Sequence, residues 1–372
     1  MKGTTYADSG INIELGDDAS TILYNASKLT WENRTGKLGE VVEPYEDFSG
    51  LRAIKVGGLP KDAYMSLGFD GVGTKTEIAE RTARHDTIAH DLFAMVCDDA
   101  VVRGAEPVLV GSILDVKSLG KNEKSYIDFV RQLAKGYIAA AEEANVAVIN
   151  GEVAELGARV NGYGDFNYNW GAGVVWFARK NRLLTGKKIK RGDQIVALRE
   201  DGFRSNGLSL VRKIMHNTHG ENWHEETFQG RNLGDLVLHP SKIYSAAVVE
   251  MFGGFNDEPK AEIHGVAHIT GGGIPGKLGR VLRPSGLGAY LNTLFPPCDL
   301  MLYCQEKGNV NDKEAYRTWS MGQGMLIITP NPDSVMNVAH FYGITSQIVG
   351  EIIEEPVIRI KSKGLNGREI IF

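Results

Sequence analysis

Short apolar runs of strand character alternate with longer segments of helical period along this chain, and the alternation starts afresh near residue 185. That pattern constrains the fold strongly, because a strand followed by a packed helix returns to a shared sheet, giving α/β or α+β layers. In the first half, AYMSLGFDG, PVLVGSILDV, VAVINGEVAEL and WGAGVVWFARK read as strands. The stretch DTIAHDLFAMVCDDAVVRGAEP reads as a helix opened by Asp86 and stopped by Gly104 and Pro107, and SYIDFVRQLAKGYIAAAEEAN as a long helix capped by Ser125. In the second half, strand-like DQIVALRE, AEIHGVAHITGGG, GMLIITP and TSQIVGEII are interleaved with helical RSNGLSLVRKIM, IPGKLGRVL and PDSVMNVAHFYG. A length of 372 residues accommodates two domains. The expectation is an α/β (α+β) protein with domains at 1–183 and 184–372.

Composition narrows the functional classes. Charged residues make up 23% of the chain and apolar residues 42%, the balance of an ordinary globular protein. A net charge of −5 with no basic run argues against a nucleic-acid surface, and no apolar stretch reaches the ~18 residues of a membrane span. The first residues, MKGTTYADSGINIELGDD, lack the apolar centre of a signal peptide, so a cytoplasmic protein acting on small molecules is expected. Cys97, Cys298 and Cys304 are scattered without CxxC spacing, which points to neither a disulfide framework nor a zinc site.

The stretch GFDGVGTK at 68–75 invites comparison with a phosphate loop, but its count is wrong for a Walker A motif and Asp70 sits inside the turn. A carboxylate among phosphates is repelled unless a divalent cation intervenes, so Asp70 reads as a metal ligand. On the helix that follows, Asp91 and Asp98 are seven residues apart and nearly on one face, with Asp99 about 80° further round. Glu152 and Glu155 stand where a strand runs into a loop, a usual place for ligand contacts in α/β sheets. Each of these carboxylates has the alternative reading of a solvated or loop side chain.

Further candidates lie at helix starts. Asp86 is most simply an N-cap, with His85 either a phosphate contact or a loop residue. Ser205 and Asn206 read as caps or as donors to an anion, capping being the simpler role. Three consecutive glycines, Gly271 to Gly273, cost more backbone entropy than a plain turn requires and lead directly into a helix, as a phosphate seat would. His268, just upstream, is a candidate acid or base, against the commoner structural role of an isolated histidine.

Together, TYADSGINI, DGVGTK, RHDTIAHDLFAM, VVRGAEP, GEVAE, SNGLSLVRK, LHPSKIY, AHITGGGIP, GNV and YRTWSMGQGM resemble, in order and across nearly the whole chain, the phosphoribosylformylglycinamidine cyclo-ligases, or aminoimidazole ribonucleotide synthetases. The resemblance implies a two-domain fold whose N-terminal sheet forms a barrel-like interface in a homodimer and whose C-terminal domain is α/β. It implies ATP and Mg2+ as cofactors and a ribonucleotide as substrate. It puts the metal on Asp70, Asp91, Asp99 and Glu152, and ATP on Gly71, Gly73, Thr74, Lys75, Arg84, His85 and Asp86. Substrate would meet Ser205, Asn206, Gly207, Thr270, Gly271, Gly272 and Gly273, with His268 and Lys75 as catalytic residues. There are departures from the family pattern: Arg204 replaces its usual histidine, Asn150 and Val153 replace a glycine and a threonine, and LGARVNGYGDFNYNW replaces its loop. Two other readings stand beside it: a related ATP-using enzyme such as a thiamine-phosphate kinase, and a nucleotide-binding paralogue without activity. The terminal motifs argue against the first and the retained carboxylates against the second.

Overall fold

A computed structural model describes residues 12–43, 52–121 and 124–372. Most of the TYADSGINI motif, Thr5 to Ile11, lies outside the described residues. The chain divides into two compact units: residues 1–97 with 107–177, and 98–106 with 178–372. The break between Phe177 and Ala178 is close to the change of pattern seen in the sequence. The assignment of 98–106 to the second unit has no local sequence marker, since it cuts the continuous helix Ile88–Val101.

The first unit holds a four-stranded sheet in the order Ala63–Gly71, Tyr168–Arg179, Glu106–Val116, Ala147–Glu155. The last two strands are parallel, from Leu109 opposite Ala147 to Val116 opposite Glu155. Parallel neighbours need a crossover, and helix Ile127–Ala144 lies between them in the chain. Its buried residues Val130, Leu133, Ala134, Tyr137, Ala141 and Ala144 recur at helical spacing. The helix begins one residue after its N-cap Tyr126, and the Ser125 hydroxyl accepts from the Ile127 amide at 3.3 Å. A 17-residue helix, Ile13–Leu29, capped by Asn12, packs on this helix and was not read from the sequence. Along Ala63–Gly71, Met65, Leu67 and Phe69 alternate onto one exposed side; Phe69 is 76% exposed.

The second unit is built on a seven-stranded mixed sheet in the order Gly265–His268, Gln323–Thr329, Gln194–Arg199, Ser346–Ile353, Gly288–Leu291, Ile358–Lys361, Glu369–Ile371. Only the Gly288–Leu291 and Ile358–Lys361 pair is parallel. Its central strands are buried on both sides, with Val196, Leu198, Met325 and Ile327 packed among Val248, Met251 and Val335. The three cysteines are all free thiols. Among the described residues no helix is long and apolar enough to cross a membrane.

Candidate functional site

The sequence candidates fall into two clusters, one in each unit. In the first unit the Ala63–Gly71 strand ends in the glycine turn. The Asp70 carboxylate folds back to accept from the Gly71 amide at 2.7 Å, and the Val72 amide reaches Trp170 O at 3.0 Å. Gly73 adopts φ +69°, a region costly for other residues, which lets a 3-10 turn feed helix Thr76–Thr82. Asp70, Asp115 and Glu152 line one cavity of about 850 Å³ beside this turn, together with Ser112 and Asn150. Asp115 was missed in the sequence, where a single carboxylate inside an apolar strand gives no ligand signal.

Lys75 and Asp91 are placed differently from the expectation. Both are fully buried, and Lys75 Nζ lies 2.7 Å from Asp91 Oδ1. The pair is an internal ion pair, so as it stands the Lys75 ammonium addresses Asp91 and not an open phosphate site. Glu155 is likewise occupied, accepting from the Asn12 and Leu119 amides at 2.9 and 2.6 Å. His85 is buried against Phe129, Phe166 and Tyr168, with Nδ1 3.1 Å from the Tyr168 hydroxyl. That burial lowers its pKa to about 4 against a small opposing pull from Asp86, so the ring is neutral at pH 7. Arg84 is exposed and Asp86 half-buried, 3.7 Å from Lys135. The divergent loop is ordered by Glu80, whose carboxylate accepts from the Tyr163 and Tyr168 amides.

The second unit brings Asp98, Asp99, Glu200, Arg204 and His268 into one buried network. Arg204, held at φ +59°, donates from Nη1 to Glu200 Oε2 at 2.6 Å and from Nη2 to Asp98 Oδ2 at 3.2 Å. Asp98 also accepts from the Tyr244 amide at 2.9 Å. Burial pushes the Asp98 carboxyl up to about 7, against the pull of Arg204 and that amide. His268 Nε2 lies 2.7 Å from Arg204 Nη2, and His268 Nδ1 2.8 Å from Asp99 Oδ1. A guanidinium can only donate, so Nε2 accepts and Nδ1 carries the hydrogen given to Asp99. Burial lowers the His268 pKa to about 4 and thus favours this neutral tautomer. Burial raises the Asp99 carboxyl, but the bond from His268 together with the nearby charges of Lys277 and Arg103 outweighs it and leaves Asp99 below the usual carboxylate range. Glu200 was not singled out in the sequence, although its spacing of four from Arg204 was the available signal.

Beside this network the two expected substrate segments meet. A methyl group added at Gly271 would stand 3.6 Å from Asn206 Nδ2. Asn206 Oδ1 is buried and has no hydrogen-bond partner among the described residues, an arrangement that a bound donor would satisfy. The cap position of helix Leu208–His219 is Gly207, φ +73°, with no side-chain cap, so Ser205 and Asn206 do not perform the capping role read from the sequence. Gly207 is required there because a Cβ would come within 2.5 Å of Trp319. Thr270 is buried; its carbonyl accepts from the Gly273 amide at 2.8 Å, which closes the turn through Gly271 and Gly272. Three of the four expected metal ligands lie in the first unit and Asp99 lies in the second. Asp70 and Glu152 share the first unit's cavity, Asp91 is paired with Lys75, and Asp99 is bonded to His268. Among the described residues no three His, Cys, Asp or Glu side chains converge closely enough to hold a metal ion.

Comparison with known proteins covers both units. Residues 53–175 match the family described as AIR synthase related protein, N-terminal domain, and residues 190–363 match its C-terminal domain. Phosphoribosylformylglycinamidine cyclo-ligase of Acetivibrio thermocellus is 33% identical over 359 residues, covering 95% of this chain and 98% of the relative. That of Methanococcoides burtonii is 34% identical over 358 residues, with 96% and 97% covered. Among solved structures, thiamine-monophosphate kinase from Stenotrophomonas maltophilia aligns with a TM-score of 0.59 at 14% identity, covering 87% of this chain and 92% of that one. The hydrogenase maturation protein HypE in complex with ATP gives 0.57 at 13% identity, with 86% of each chain covered. These structural likenesses establish a shared fold.

Proposed function

The chain belongs to the phosphoribosylformylglycinamidine cyclo-ligase family, and from that membership we infer that it closes formylglycinamidine ribonucleotide to aminoimidazole ribonucleotide at the expense of ATP, a step of purine biosynthesis. An amide oxygen is a poor leaving group. Transfer of the γ-phosphoryl group to the formyl oxygen converts that oxygen into phosphate, which the amidine nitrogen expels as it closes the ring, leaving ADP and phosphate. Such chemistry needs positioning and charge neutralisation more than covalent help.

The observation that carries this reading onto the molecule is the glycine turn at Asp70 opening on the 850 Å³ cavity that Glu152 also lines. Magnesium in nucleotide sites is held by one or two carboxylates with phosphate oxygens completing the shell, so two acids beside a glycine turn fit it without a preformed cage. Asp70 and Glu152 would hold the ion, and bound there it would neutralise phosphate charge. Gly73 and Thr74 would offer backbone amides to the nucleotide, the Gly71 amide being bonded to Asp70. Asn206, Gly271 and Gly272 would receive the ribonucleotide, with Asn206 Oδ1 accepting from it. His268, neutral and fixed in one tautomer, serves to orient Asp99 and Arg204.

The open side of the first unit's sheet, with Met65, Leu67, Phe69 and Ile113 exposed, supports a homodimer joined through that face. Purine synthesis draws on cytosolic ATP, which makes the cytoplasm the proposed location. The test is ADP release by the purified protein with Mg-ATP, with and without formylglycinamidine ribonucleotide, while aminoimidazole ribonucleotide is followed as a coloured diazo derivative. Substrate-dependent ADP matched by that product is expected. ATP binding without such turnover would instead favour a paralogue that kept the fold and lost the reaction.

A further inference from the structure

A second cavity, of about 250 Å³, lies wholly within the second unit and is separate from the residues given substrate roles above. Its wall includes Arg103, Lys277, Arg280, Thr185, Asp99 and His268. Lys277 and Arg280 stand at i and i+3 on helix Gly273–Leu282 and so share a face. Neither side chain makes a hydrogen bond or ion pair among the described residues. The Arg103 side chain donates to the Asp99 carbonyl, its one hydrogen bond among the described residues, and its charge also acts on the Asp99 carboxylate. Asp99, the one carboxylate in the wall, is already engaged by His268 Nδ1 at 2.8 Å.

Three cations thus face one concave space that holds a single carboxylate, Asp99. Its charge already acts on Lys277 and Arg103 and is not cancelled by neutral His268, so the wall keeps an excess of positive charge. Like charges gathered in this way repel unless a counter-ion joins them. Arginine forks and a lysine ammonium are the groups that grip phosphate oxygens. The volume lies below the roughly 300 Å³ at which pockets for drug-sized ligands begin, so it suits a small anion better than a whole nucleotide.

We propose that Arg103, Lys277 and Arg280 form a binding site for a phosphate-class anion, either free phosphate or the phosphomonoester of a sugar phosphate. The site is defined by binding and does not depend on the ring-closure reading, since an inactive protein would still show it.

The experiment is calorimetric titration of the full chain with inorganic phosphate and with ribose 5-phosphate at low ionic strength, for wild type, Arg280→Ala and the double variant Lys277→Ala/Arg280→Ala. Saturable binding is expected in wild type. Losing two charge-assisted contacts should weaken it at least ~10-fold in the double variant, with a smaller loss in Arg280→Ala. Circular dichroism melts check that both variants remain folded, and Arg280, being exposed, can be removed without disturbing the packing. Tighter binding of inorganic phosphate would identify the free ion as the ligand, and tighter binding of ribose 5-phosphate would identify the ester. Absence of saturable binding in wild type, or affinity unchanged in both variants, would overturn the proposal.

Discussion

Arg204 shows how a single residue can be legible in kind and illegible in role. Its type rules out base chemistry at neutral pH from the sequence alone, but its partners, Glu200, Asp98 and His268, come from three separate segments. Replacing it with methionine keeps much of the volume and leaves two buried carboxylates uncompensated, which should cost about 3–5 kcal/mol in urea unfolding. The same variant should free His268 Nε2, seen as a changed imidazole nitrogen shift. Stability equal to wild type would remove Arg204 from the network's energetics. Asp70, by contrast, could be placed at the glycine turn from sequence because its neighbours in sequence are its neighbours in space. Asp70→Asn should abolish turnover without lowering the melting temperature, and full activity in that variant would take the side chain out of the proposed metal site. His85 offers a test by pH. Its folded pKa is lowered to about 4 by burial, from an ordinary 6.5. Above 6.5 both folded and unfolded chains hold it neutral and its contribution is complete. As pH falls toward 4 the unfolded chain takes up a proton that the folded chain refuses, and stability is lost at up to about 1.4 kcal/mol per pH unit. In His85→Phe that loss is absent, so the stability gap between wild type and variant should narrow from pH 7 to pH 4.5. A constant gap would mean the ring is not held neutral.

At the scale of elements, the strands and helices that carry the expected site were legible because hydrophobic period and glycine punctuation agree there, as in Ala63–Gly71 and Gly273–Leu282. Helix Ile13–Leu29 was missed because Gly16, Asp17 and Asp18 interrupt its apolar period, and its capping signal is a lone Asn12 bonded to the Leu15 amide. The capping roles given to Ser205 and Asn206 failed for another reason: Arg204 already turns the chain at positive φ, so the cap falls on Gly207. Glycines of one helix separate conformational need from mere presence. Gly273 has φ +58°, and a Cβ there would lie 1.9 Å from Tyr316 O, whereas Gly276 has nothing within 4 Å. Gly273→Ala should therefore destabilise by more than the ~1–2 kcal/mol of a left-handed residue. Gly276→Ala should stabilise by up to about 1 kcal/mol through reduced unfolded-state entropy. Chemical denaturation of the two variants side by side decides this, and equal effects would mean that the turn through Gly271 and Gly272 is not fixed as described.

At the scale of the whole molecule, strand character is visible in the sequence, but which side of a sheet remains uncovered is not, because that depends on where the helices pack. The first unit exposes Phe69 at 76%, Met65 at 62%, Ile113 at 56% and Leu67 at 50%. Contiguous apolar surface of this kind is unfavourable in water at roughly 25 cal/mol per Å². A second copy would cover it, and a stable interface hides about 800 Å² on each partner. The homodimer proposed above therefore predicts that the wild-type chain sediments as a dimer at micromolar concentration. Phe69→Glu sets one carboxylate per protomer against an apolar partner surface, and burying an unpaired charge there costs several kcal/mol. That variant should shift to monomer, while Phe341→Glu, at an equally exposed position in the second unit, should leave the dimer intact. Because Leu67, Phe69 and Ile113 line the same cavity as Asp70 and Glu152, turnover should fall along with dimerisation in Phe69→Glu. A monomeric wild type with full activity would detach the site from the interface, and a dimer that survives Phe69→Glu would place the contact on another surface.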